Sequence, residues 1–244
     1  MAWHDTDSFW LDFHEVMFHQ RRWDQAEEEV GGVVALTGLT APKRVLDMCC
    51  GPGRHSLAMA RRGFSVKGVD RTRAYIEEAQ SKTGDCDAVF EVGDAREFCE
   101  PQTYDGATCL YTSFGYFETQ EEDVALLRNV CDSLKPGGSF VLDMHGKEIT
   151  ARAFKERSWE ILEDGSKLLE ARSVGPDWAW IENVWTVIKD DVQKEMAFRV
   201  RLYSGVELRK ALSAAGFSTV ELYGDWDGAA YDARARRLIG VARK

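Results

Sequence analysis

Short apolar runs alternate with longer amphipathic segments over the first 145 residues of the chain. Five of these runs have the length and composition of β-strands, and they lie at residues 43–48, 64–70, 88–94, 104–111 and 138–145. The segments between them carry apolar residues at spacings of three and four, as helices with one buried face do. This alternation predicts a parallel sheet covered by helices on both faces, with ligands bound at the carboxyl ends of its strands.

The pattern changes after residue 145. Three runs within residues 167–203 alternate apolar and polar side chains with a period of two, and turn signals separate them. Such runs predict strands that bury one face. We therefore assign residues 150–203 to an antiparallel β insertion.

The chain then returns to its first pattern. A helix is predicted after Ser204, because Glu207 stands three residues later, as in a capping box, and Gly216 ends the segment. Two strands follow, at residues 217–224 and 236–244. The predicted fold class is α/β: a doubly wound, mostly parallel seven-stranded sheet of the Rossmann-like kind, with the insertion before its last helix.

The chain is predicted to form one domain over residues 1–244. Its length, with 44% hydrophobic residues, is sufficient for one large core without disulfides or metal ions. Two helical segments before the first strand form an N-terminal helical cap at residues 1–42. The 31 lysines and arginines against 41 acids give a net charge of −10, which disfavours nucleic acid as a partner.

Other features argue against a membrane or secreted protein. The longest apolar run, residues 30–39, has ten residues, against the roughly 18–20 that a membrane span needs. The N-terminus is acidic and lacks the basic flank of a secretory signal. The six cysteines show no CxxC spacing, so a reduced, cytoplasmic chain without a metal site is expected.

The clearest chemical signal is the motif VLDMCCGPGRHS at residues 45–56. A strand ends at Asp47, the chain turns through Gly51 and Gly53, and a helix begins. Glycines let the backbone approach a ligand closely, and a helix N-terminus presents unpaired N–H groups to an anion. Ser56 replaces the third glycine of the dinucleotide fingerprint GxGxxG, which argues against a nicotinamide cofactor.

Two further acids stand at the ends of neighbouring strands. Asp70 ends the next strand, 19 residues after Gly51, and Asp94 ends the strand after that. A carboxylate at that spacing accepts both hydroxyls of a ribose. Any one of these acids could be a helix cap or a turn former, but three strand ends in register predict a cleft of adenosine size.

These motifs resemble those of the class I S-adenosylmethionine-dependent methyltransferases. The resemblance rests on five segments: VLDMCCGPGRHS at 45–56, GVD at 68–70, VGDARE at 92–97, YDGATCLYTSFGYF at 104–117 and LKPGGSFVLD at 134–143. It covers nearly the whole chain, because the closing helix and strands also resemble the antiparallel end of that fold. The set is specific for the fold and for S-adenosylmethionine as cofactor, and it leaves the acceptor open.

The resemblance implies roles for the glycine-rich loop. Gly51 and Gly53 would pass under the methionine part of the cofactor. Asp47, together with the backbone of Cys49 and Cys50, would orient the amino group of that part.

It also implies contacts along the rest of the cofactor. Asp70 would hold the ribose hydroxyls, with Arg71 packed over the adenine. Asp94 would accept a hydrogen bond from the adenine amino group, and the N–H of Ala95 would donate to a ring nitrogen.

The resemblance places the methyl group near the end of the fourth strand. Leu110, Tyr111 and Ser113 would border it. In small-molecule relatives an N-terminal helix often covers the cofactor, and Arg22 beside Trp23 would there contact the cofactor's carboxylate.

Methyl transfer needs alignment of the acceptor and exclusion of water, and it needs no covalent nucleophile. Where a proton must leave the acceptor, the candidates for a base or an orienting group are His145 and Tyr111, followed by Tyr116 and His14. An imidazole suits proton removal near neutral pH, although a single histidine more commonly serves packing or hydrogen bonding.

The insertion is interpreted as a lid that selects the acceptor. Trp178, Trp180 and Trp185 lie in it. They would exclude water, while Arg199 or Arg201 would pair with an anionic acceptor. In the plainer alternative, the apolar face packs on the core and the arginines are solvated.

The predicted function is transfer of a methyl group from S-adenosylmethionine to nitrogen or oxygen of a small-molecule acceptor, by direct in-line displacement. Two alternatives stay open. A methyltransferase of RNA or protein would use the locally basic residues 232–244. A non-catalytic module would bind S-adenosylmethionine beneath a closed lid.

Overall fold

The computed structural model describes residues 2–244 and divides their strands between two sheets. The strands are β1 Arg44–Met48, β2 Ser65–Asp70, β3 Ala88–Val92, β4 Tyr104–Cys109, β5 Leu134–Met144, β6 Arg157–Ile161, β7 Lys167–Val174, β8 Trp180–Lys189, β9 Val192–Arg201, β10 Thr219–Tyr223 and β11 Leu238–Arg243. The α-helices are α1 Asp7–Asp12, α2 His14–Phe18, α3 Gln20–Thr37, α4 Arg54–Arg61, α5 Arg73–Ser81, α6 Gln120–Ser133, α7 Lys147–Ala153 and α8 Gly205–Ala214. Short 3₁₀ helices lie at Trp3–Asp5 and Pro176–Trp178.

The larger sheet has seven strands in the order β10-β11-β5-β4-β1-β2-β3. Strands β1 to β5 pair in parallel, whereas β11 is antiparallel to both β5 and β10. The predicted α/β fold class is confirmed. The strand order reverses between β1 and β4, and a crevice at such a point is where sheets of this kind bind ligands.

Helices cover both faces of this sheet because alternate side chains of a buried strand point to opposite sides. Within β1, Val45 belongs to one apolar cluster with Val30 of α3 and Met59 of α4. Its neighbour Leu46 belongs to another, with Leu126 of α6. The strand is therefore apolar on both faces, as the continuous run in the sequence indicates.

The insertion is a separate antiparallel sheet in the order β6-β7-β8-β9. The sequence predicts three of its strands but neither β6 nor α7. In β6, Trp159 and Ile161 are 68% and 62% exposed, so this short edge strand lacks the buried face that an alternating pattern reports. Helix α7 has seven residues, too few for a periodic apolar stripe.

The N-terminal cap is helical and touches both sheets. Phe9 and Phe13 pack on Phe198 and Trp185 of the insertion, with ring centroids 5.2 and 6.0 Å apart. On the other side, His14 of α2 meets Glu78 of α5 at 2.9 Å. No helix within residues 2–244 combines the length and the apolar character needed to cross a membrane.

Replacing Ser204 with alanine tests the predicted capping box of α8, which the structure confirms. Ser204 Oγ accepts the N–H of Glu207 at 3.2 Å, and Glu207 Oε2 accepts the N–H of Ser204 at 2.8 Å. We expect Ser204→Ala to cost about 0.5–2 kcal/mol in urea unfolding, because it leaves a helix N–H unsatisfied. Ser213→Ala, at an exposed position of the same helix, is the control and should cost nothing. Equal losses would contradict the cap.

Candidate active site

The carboxyl ends of β1, β2, β3 and β4 border one cleft, which the N-terminal cap covers. Seven of the predicted cofactor residues line it: Cys49, Gly51, Asp70, Arg71, Asp94, Ala95 and Ser113. Residues of the cap and of the loop after β4 complete much of the wall: His4, Asp5, Trp10, Phe18, Tyr116 and Phe117. The strand ends that the sequence places in register therefore meet at one cavity.

The glycine-rich loop between β1 and α4 runs close to its neighbours. Gly51 and Gly53 have φ angles of +54° and +84°, a region that favours glycine. A Cβ on Gly53 would lie 2.9 Å from that of Ala79, and a Cβ on Gly51 would lie 3.1 Å from the ring of Phe18. The turn therefore brings the backbone to the edge of the cleft without bulky side chains.

Asp70 ends β2 with its carboxylate at the cleft. Its Oδ2 accepts the N–H of Gly51 at 2.9 Å, and its Oδ1 accepts the N–H of Thr72 at 2.8 Å. A carboxylate has about four lone-pair directions, so about two are left for a ligand. Burial raises the pKa of Asp70 despite these two bonds. Hydroxyl donors from a ligand would offset that effect of burial.

Asp94, beyond β3, is held by Arg96, which donates to both of its carboxylate oxygens. Burial acts to raise the pKa of Asp94, but the hydrogen bonds from Arg96 outweigh burial and lower that pKa. The carboxyl is therefore ionised at neutral pH and acts as an acceptor.

Comparison with known proteins identifies the type of domain. A family model of methyltransferase domains matches residues 45–138, from β1 into β5. A Streptomyces protein named cypemycin N-terminal methyltransferase is 28% identical over 218 residues, which cover 87% of this chain and 89% of that protein. This chain carries a methyltransferase domain and is an S-adenosylmethionine-dependent methyltransferase.

Solved structures share the fold of the methyltransferase. An S-adenosylmethionine-dependent methyltransferase from Clostridium acetobutylicum superposes with a TM-score of 0.79 at 13% identity, covering 97% of this chain and 98% of that one. A sugar N-methyltransferase from Streptoalloteichus sp. superposes with a TM-score of 0.72 at 19% identity, covering 97% and 92%. Both superpositions extend over nearly the whole chain, so they include the insertion.

S-adenosylmethionine is the cofactor of the methyltransferase, and the polar groups at the wall of the cleft suit it. The two lone-pair directions left on Asp70 suit a ribose diol. Gly51 places no side chain of its own at the cleft, and the ionised Asp94 offers an acceptor for an amino group. Each of these features is complementary to one polar part of the cofactor.

Arg71 lines the cleft, yet its guanidinium is tied to the cap. It donates to the carbonyl oxygens of His4 and Asp5 at 3.1 and 2.9 Å, and to Asp7 Oδ1 at 3.0 Å. In this structure Arg71 therefore anchors the cap at the end of β2. No local pattern predicts these partners, because they lie more than 60 residues away in the chain.

The remaining predicted residues lie outside the wall of this cleft: Arg22, Asp47, Cys50, Gly53, Leu110, Tyr111 and His145. Asp47 is buried, and its two oxygens accept the hydroxyls of Ser56 and Thr108 at 2.6 and 2.8 Å. Its carboxylate therefore ties α4 and β4 to β1.

Tyr111 lies outside the wall of the cleft and has a left-handed backbone conformation, with a φ of 61°. The guanidinium groups of Arg54 and Arg22 lie 4.4 and 5.1 Å from the centroid of its ring. Its N–H donates to Asp143 at 3.0 Å. Cation–π contacts of this kind fix the orientation of the ring.

Of the four candidates for a base, Tyr116 alone lines the described cleft. Burial raises its pKa, so it is a phenol at neutral pH and serves as a hydrogen-bond donor. Desolvation by neighbouring residues and the positive charge of Arg237 lower the pKa of His145 to about 4. Part of the residue is nevertheless exposed to solvent. His14 is engaged with Glu78 on another side of the cap.

The cysteines of the loop are not activated. A neighbouring thiol, that of Cys109, is the main cause that raises the pKa of Cys49, and burial raises the pKa of Cys50. Both are thiols at neutral pH and therefore poor nucleophiles. Within residues 2–244, no three His, Cys, Asp or Glu side chains are grouped so that they could hold a metal ion.

A buried ionic cluster behind the glycine-rich loop was missed from the sequence. Glu29 of α3 accepts Nη1 of Arg54 at 2.8 Å and pairs with Nε2 of His55 at 2.6 Å. Burial acts to raise the pKa of Glu29, but its bonds to His55 and Arg54 lower it to about 2. The cluster fastens the first residues of α4 to the cap.

The insertion is fastened to the core at the end of β9. Arg201 Nε and the Tyr203 hydroxyl donate to Oδ2 of Asp123 at 2.8 and 2.7 Å. The N–H of Arg201 also donates to the carbonyl of Gly115 at 2.7 Å. Arg201 is therefore an anchor for α6 and for the loop after β4.

The aromatic residues of the insertion take different positions. Trp185 faces the cap, where it packs on Phe13. Trp180 stacks on the guanidinium of Arg199, which also pairs with Glu118. Arg199 and Arg201 are thus both paired with carboxylates of the protein. Neither is free to pair with an anionic acceptor, as the lid interpretation expected.

Asp123 gives the methyltransferase a pH dependence of stability. Burial raises its pKa to about 6, and its Oδ1 has no partner among the described residues. A carboxyl whose pKa is higher in the folded state stabilises the fold below its unfolded pKa, and this contribution is lost as pH rises through about 6.

We therefore expect the stability of the parent protein relative to Asp123→Asn to fall by about 1–3 kcal/mol between pH 4 and pH 7. Urea unfolding across that range measures the difference. Asp132→Asn, at an exposed position of the same helix, is the control and should leave the profile unchanged. A constant difference between the parent and Asp123→Asn would contradict a raised pKa of Asp123 within this range.

A second cavity, of about 890 Å³, lies against the insertion sheet. Phe154, Asn183 and Phe198 line it, together with Trp3 of the cap. The ring of Trp3 also packs on Tyr116, with centroids 5.0 Å apart. Since Tyr116 lines the cofactor cleft, one aromatic layer separates the two cavities.

Proposed function

We propose that the methyltransferase acts on a nitrogen or oxygen of a small-molecule acceptor. The cavity of about 890 Å³ beside the cofactor cleft carries this proposal, since cavities of roughly 300–1,000 Å³ bind small molecules. Its wall includes aromatic rings and the indole of Trp3, whose N–H has no hydrogen-bond partner among residues 2–244. One solved structure is named for a sugar, which supports a small acceptor, and one relative is named for an N-terminus, which supports an amine as the acceptor group.

In this proposal the single domain, residues 1–244, encloses both ligands with two accessory parts. The cap, residues 1–42, covers the cofactor, and the insertion, residues 150–203, forms the lid over the acceptor. The packing of Phe9 and Phe13 on the insertion sheet supports a shared role, because it joins the two parts next to the second cavity.

The proposed roles of the site residues follow the sequence. Around the cofactor they belong to Arg22, Asp47, Cys49, Cys50, Gly51, Gly53, Asp70, Arg71, Asp94, Ala95, Leu110, Tyr111 and Ser113. Tyr111 and His145 are proposed for proton handling, to which Tyr116 is added as a donor at the wall of the cleft. With its pKa near 4, His145 is neutral at pH 7 and accepts a proton weakly.

The chemistry then asks little of the protein beyond positioning. When bound, S-adenosylmethionine supplies a methyl group that the acceptor atom takes from sulfur by in-line attack. The aromatic layer of Trp3, Trp10 and Tyr116 excludes water and keeps the acceptor on that line. The thiols and the Tyr116 phenol stay protonated, so the acceptor itself is the nucleophile.

We further propose that the reaction takes place in the cytoplasm and without nucleic acid. All six cysteines are unpaired, as in a reducing compartment. The net charge of −10 opposes binding to a phosphate backbone.

The test is a methyl-transfer screen with matched acceptors. Labelled S-adenosylmethionine is incubated with pairs of small molecules, such as sugars and their amino derivatives, that differ only in an amine or a hydroxyl. We expect a methylated product from at least one small acceptor. Methylation of RNA or folded protein alone would contradict the proposal.

A variant that fills the second cavity sharpens the screen. Asn183→Trp places a large ring in that cavity and should abolish acceptor turnover while S-adenosylhomocysteine still binds. Thr186→Trp, on the opposite face of β8, is the matched control. Unchanged turnover in Asn183→Trp would show that the acceptor binds elsewhere.

A further inference from the structure

Arg96 lines the cleft next to Asp94, just beyond β3, and forms several hydrogen bonds with the Asp94 carboxylate. Its Nε contacts both carboxylate oxygens at 3.0 and 3.1 Å, and its Nη2 donates to Oδ2 at 2.6 Å. Its own backbone N–H donates to Oδ1 at 2.8 Å. A planar guanidinium paired in this way fixes the plane and the rotation of the carboxylate.

Three other parts of the fold hold the guanidinium in place. Its Nη1 donates to Glu122 Oε1 at 3.2 Å, in the first turn of α6. Its Nη2 lies 3.5 Å from Asp5 of the cap, and its central carbon lies 5.0 Å from the centroid of Phe117. Arg96 is therefore a rigid support, whereas an isolated surface arginine would be free to move.

The hydrogen bonds of Asp94 leave few lone-pair directions of its carboxylate free for a ligand. Oδ1 already accepts two N–H groups of Arg96. Oδ2 accepts Nη2 and shares Nε, so about one of the four lone-pair directions of the carboxylate stays open on Oδ2. The direction of that lone pair depends on the plane that Arg96 sets.

We propose that Arg96 is a positioning residue that gives the methyltransferase its selectivity for a 6-aminopurine. It orients Asp94 so that Oδ2 accepts the exocyclic amino group of the cofactor's adenine. This inference rests on the proposed placement of adenine at Asp94. It adds that the orientation of Asp94 by Arg96 causes the selectivity for an amino group on the purine. Arg96 acts through Asp94 and through its contacts with Asp5 and Glu122.

The experiment compares two ligands by calorimetric titration. The first is S-adenosylhomocysteine, and the second is its 6-deamino analogue, in which purine replaces adenine and the ring nitrogens are kept. The parent protein should prefer S-adenosylhomocysteine by about tenfold or more, as expected for a hydrogen bond to a charged acceptor. In Arg96→Met this ratio should fall to within about threefold, because the freed carboxylate turns towards water.

Two further variants make the test specific. Arg96→Lys keeps the charge but loses the planar fork, so its ratio should lie between those of the parent and Arg96→Met. It also carries the test if Arg96→Met does not fold. Arg128→Met, at an exposed position of α6, is the control and should keep the parent ratio.

The ratio separates selectivity from a purely structural role. A full parent ratio in Arg96→Met or Arg96→Lys would overturn the inference, even if both ligands bound more weakly. A parent ratio near one would show that Asp94 does not bind the amino group and would overturn it as well. Failure of the parent to bind S-adenosylhomocysteine at all would instead contradict the cofactor itself.

Discussion

Glu29→Ala should destabilise the methyltransferase by about 3–5 kcal/mol, because it leaves a buried cation without its counter-ion. Arg54 is only 2% exposed, and Glu29 is its carboxylate partner in the described structure. Its Nη1 also donates to the carbonyl of Arg22, while Nη2 has no partner among the described residues. Loss of Glu29 would thus leave the guanidinium largely desolvated and unpaired.

Urea unfolding at pH 7 measures this loss, and an exposed ion pair supplies the control. Glu27 pairs with Arg61 and Arg62, and all three side chains are at least a third exposed. Glu27→Gln should therefore cost no more than about 1 kcal/mol. Equal losses in Glu27→Gln and Glu29→Ala would show that burial of the Arg54 pair contributes nothing.

Lowering the pH should remove the contribution of the same cluster to the stability of the protein. The pKa of Glu29 is lowered to about 2, so its contribution to stability is present above its ordinary pKa of 4.5 and is lost as pH falls towards 2. The difference between the parent and Glu29→Ala should therefore shrink on acidification. A difference that stays constant down to pH 2 would contradict the pairing.

Asp70→Ala should weaken binding of S-adenosylhomocysteine by about tenfold to more than a hundredfold, or about 1.5–3 kcal/mol. The carboxylate is the acceptor that β2 brings to the cleft, and its free lone pairs suit the ribose hydroxyls. Asp70 also accepts the N–H groups of Gly51 and Thr72, so its loss loosens the glycine-rich loop as well.

Calorimetric titration measures this effect, and two variants support it. Asp70→Asn keeps the size of the side chain and one acceptor, so it should bind with intermediate affinity and guards against misfolding. Asp85→Ala, at an exposed position before β3, is the control and should bind as the parent does. An affinity of Asp70→Ala within twofold of the parent would mean that Asp70 does not face the ribose.

The sequence could predict those parts of the molecule that repeat a local pattern. The parallel strands, the turn through Gly51 and Gly53 and the cap of α8 each have such a pattern, because burial, turn geometry and capping act within a few residues. The acids at the ends of β2 and β3 were predicted for the same reason. Asp70 and Asp94 both line the cleft.

The contacts that the sequence did not predict are formed between residues far apart in the chain. Glu29 and Arg54 are 25 residues apart, and a single charged residue in a sequence is ordinarily expected at the surface. Arg199 or Arg201 was expected to pair with an anionic acceptor or to be solvated, but the partner of Arg201 is Asp123, 78 residues earlier in the chain. Pairing of this kind follows from the packing of helices and sheets, which no local spacing reports.

The central claim is that the cleft binds S-adenosylmethionine. Calorimetric titration of the purified protein with S-adenosylmethionine, S-adenosylhomocysteine and NAD, in parallel, tests it most directly. We expect micromolar binding of the first two ligands and no binding of NAD, because Ser56 takes the place of the glycine that a dinucleotide loop requires. Binding of NAD without either methyl-cycle ligand would contradict the account.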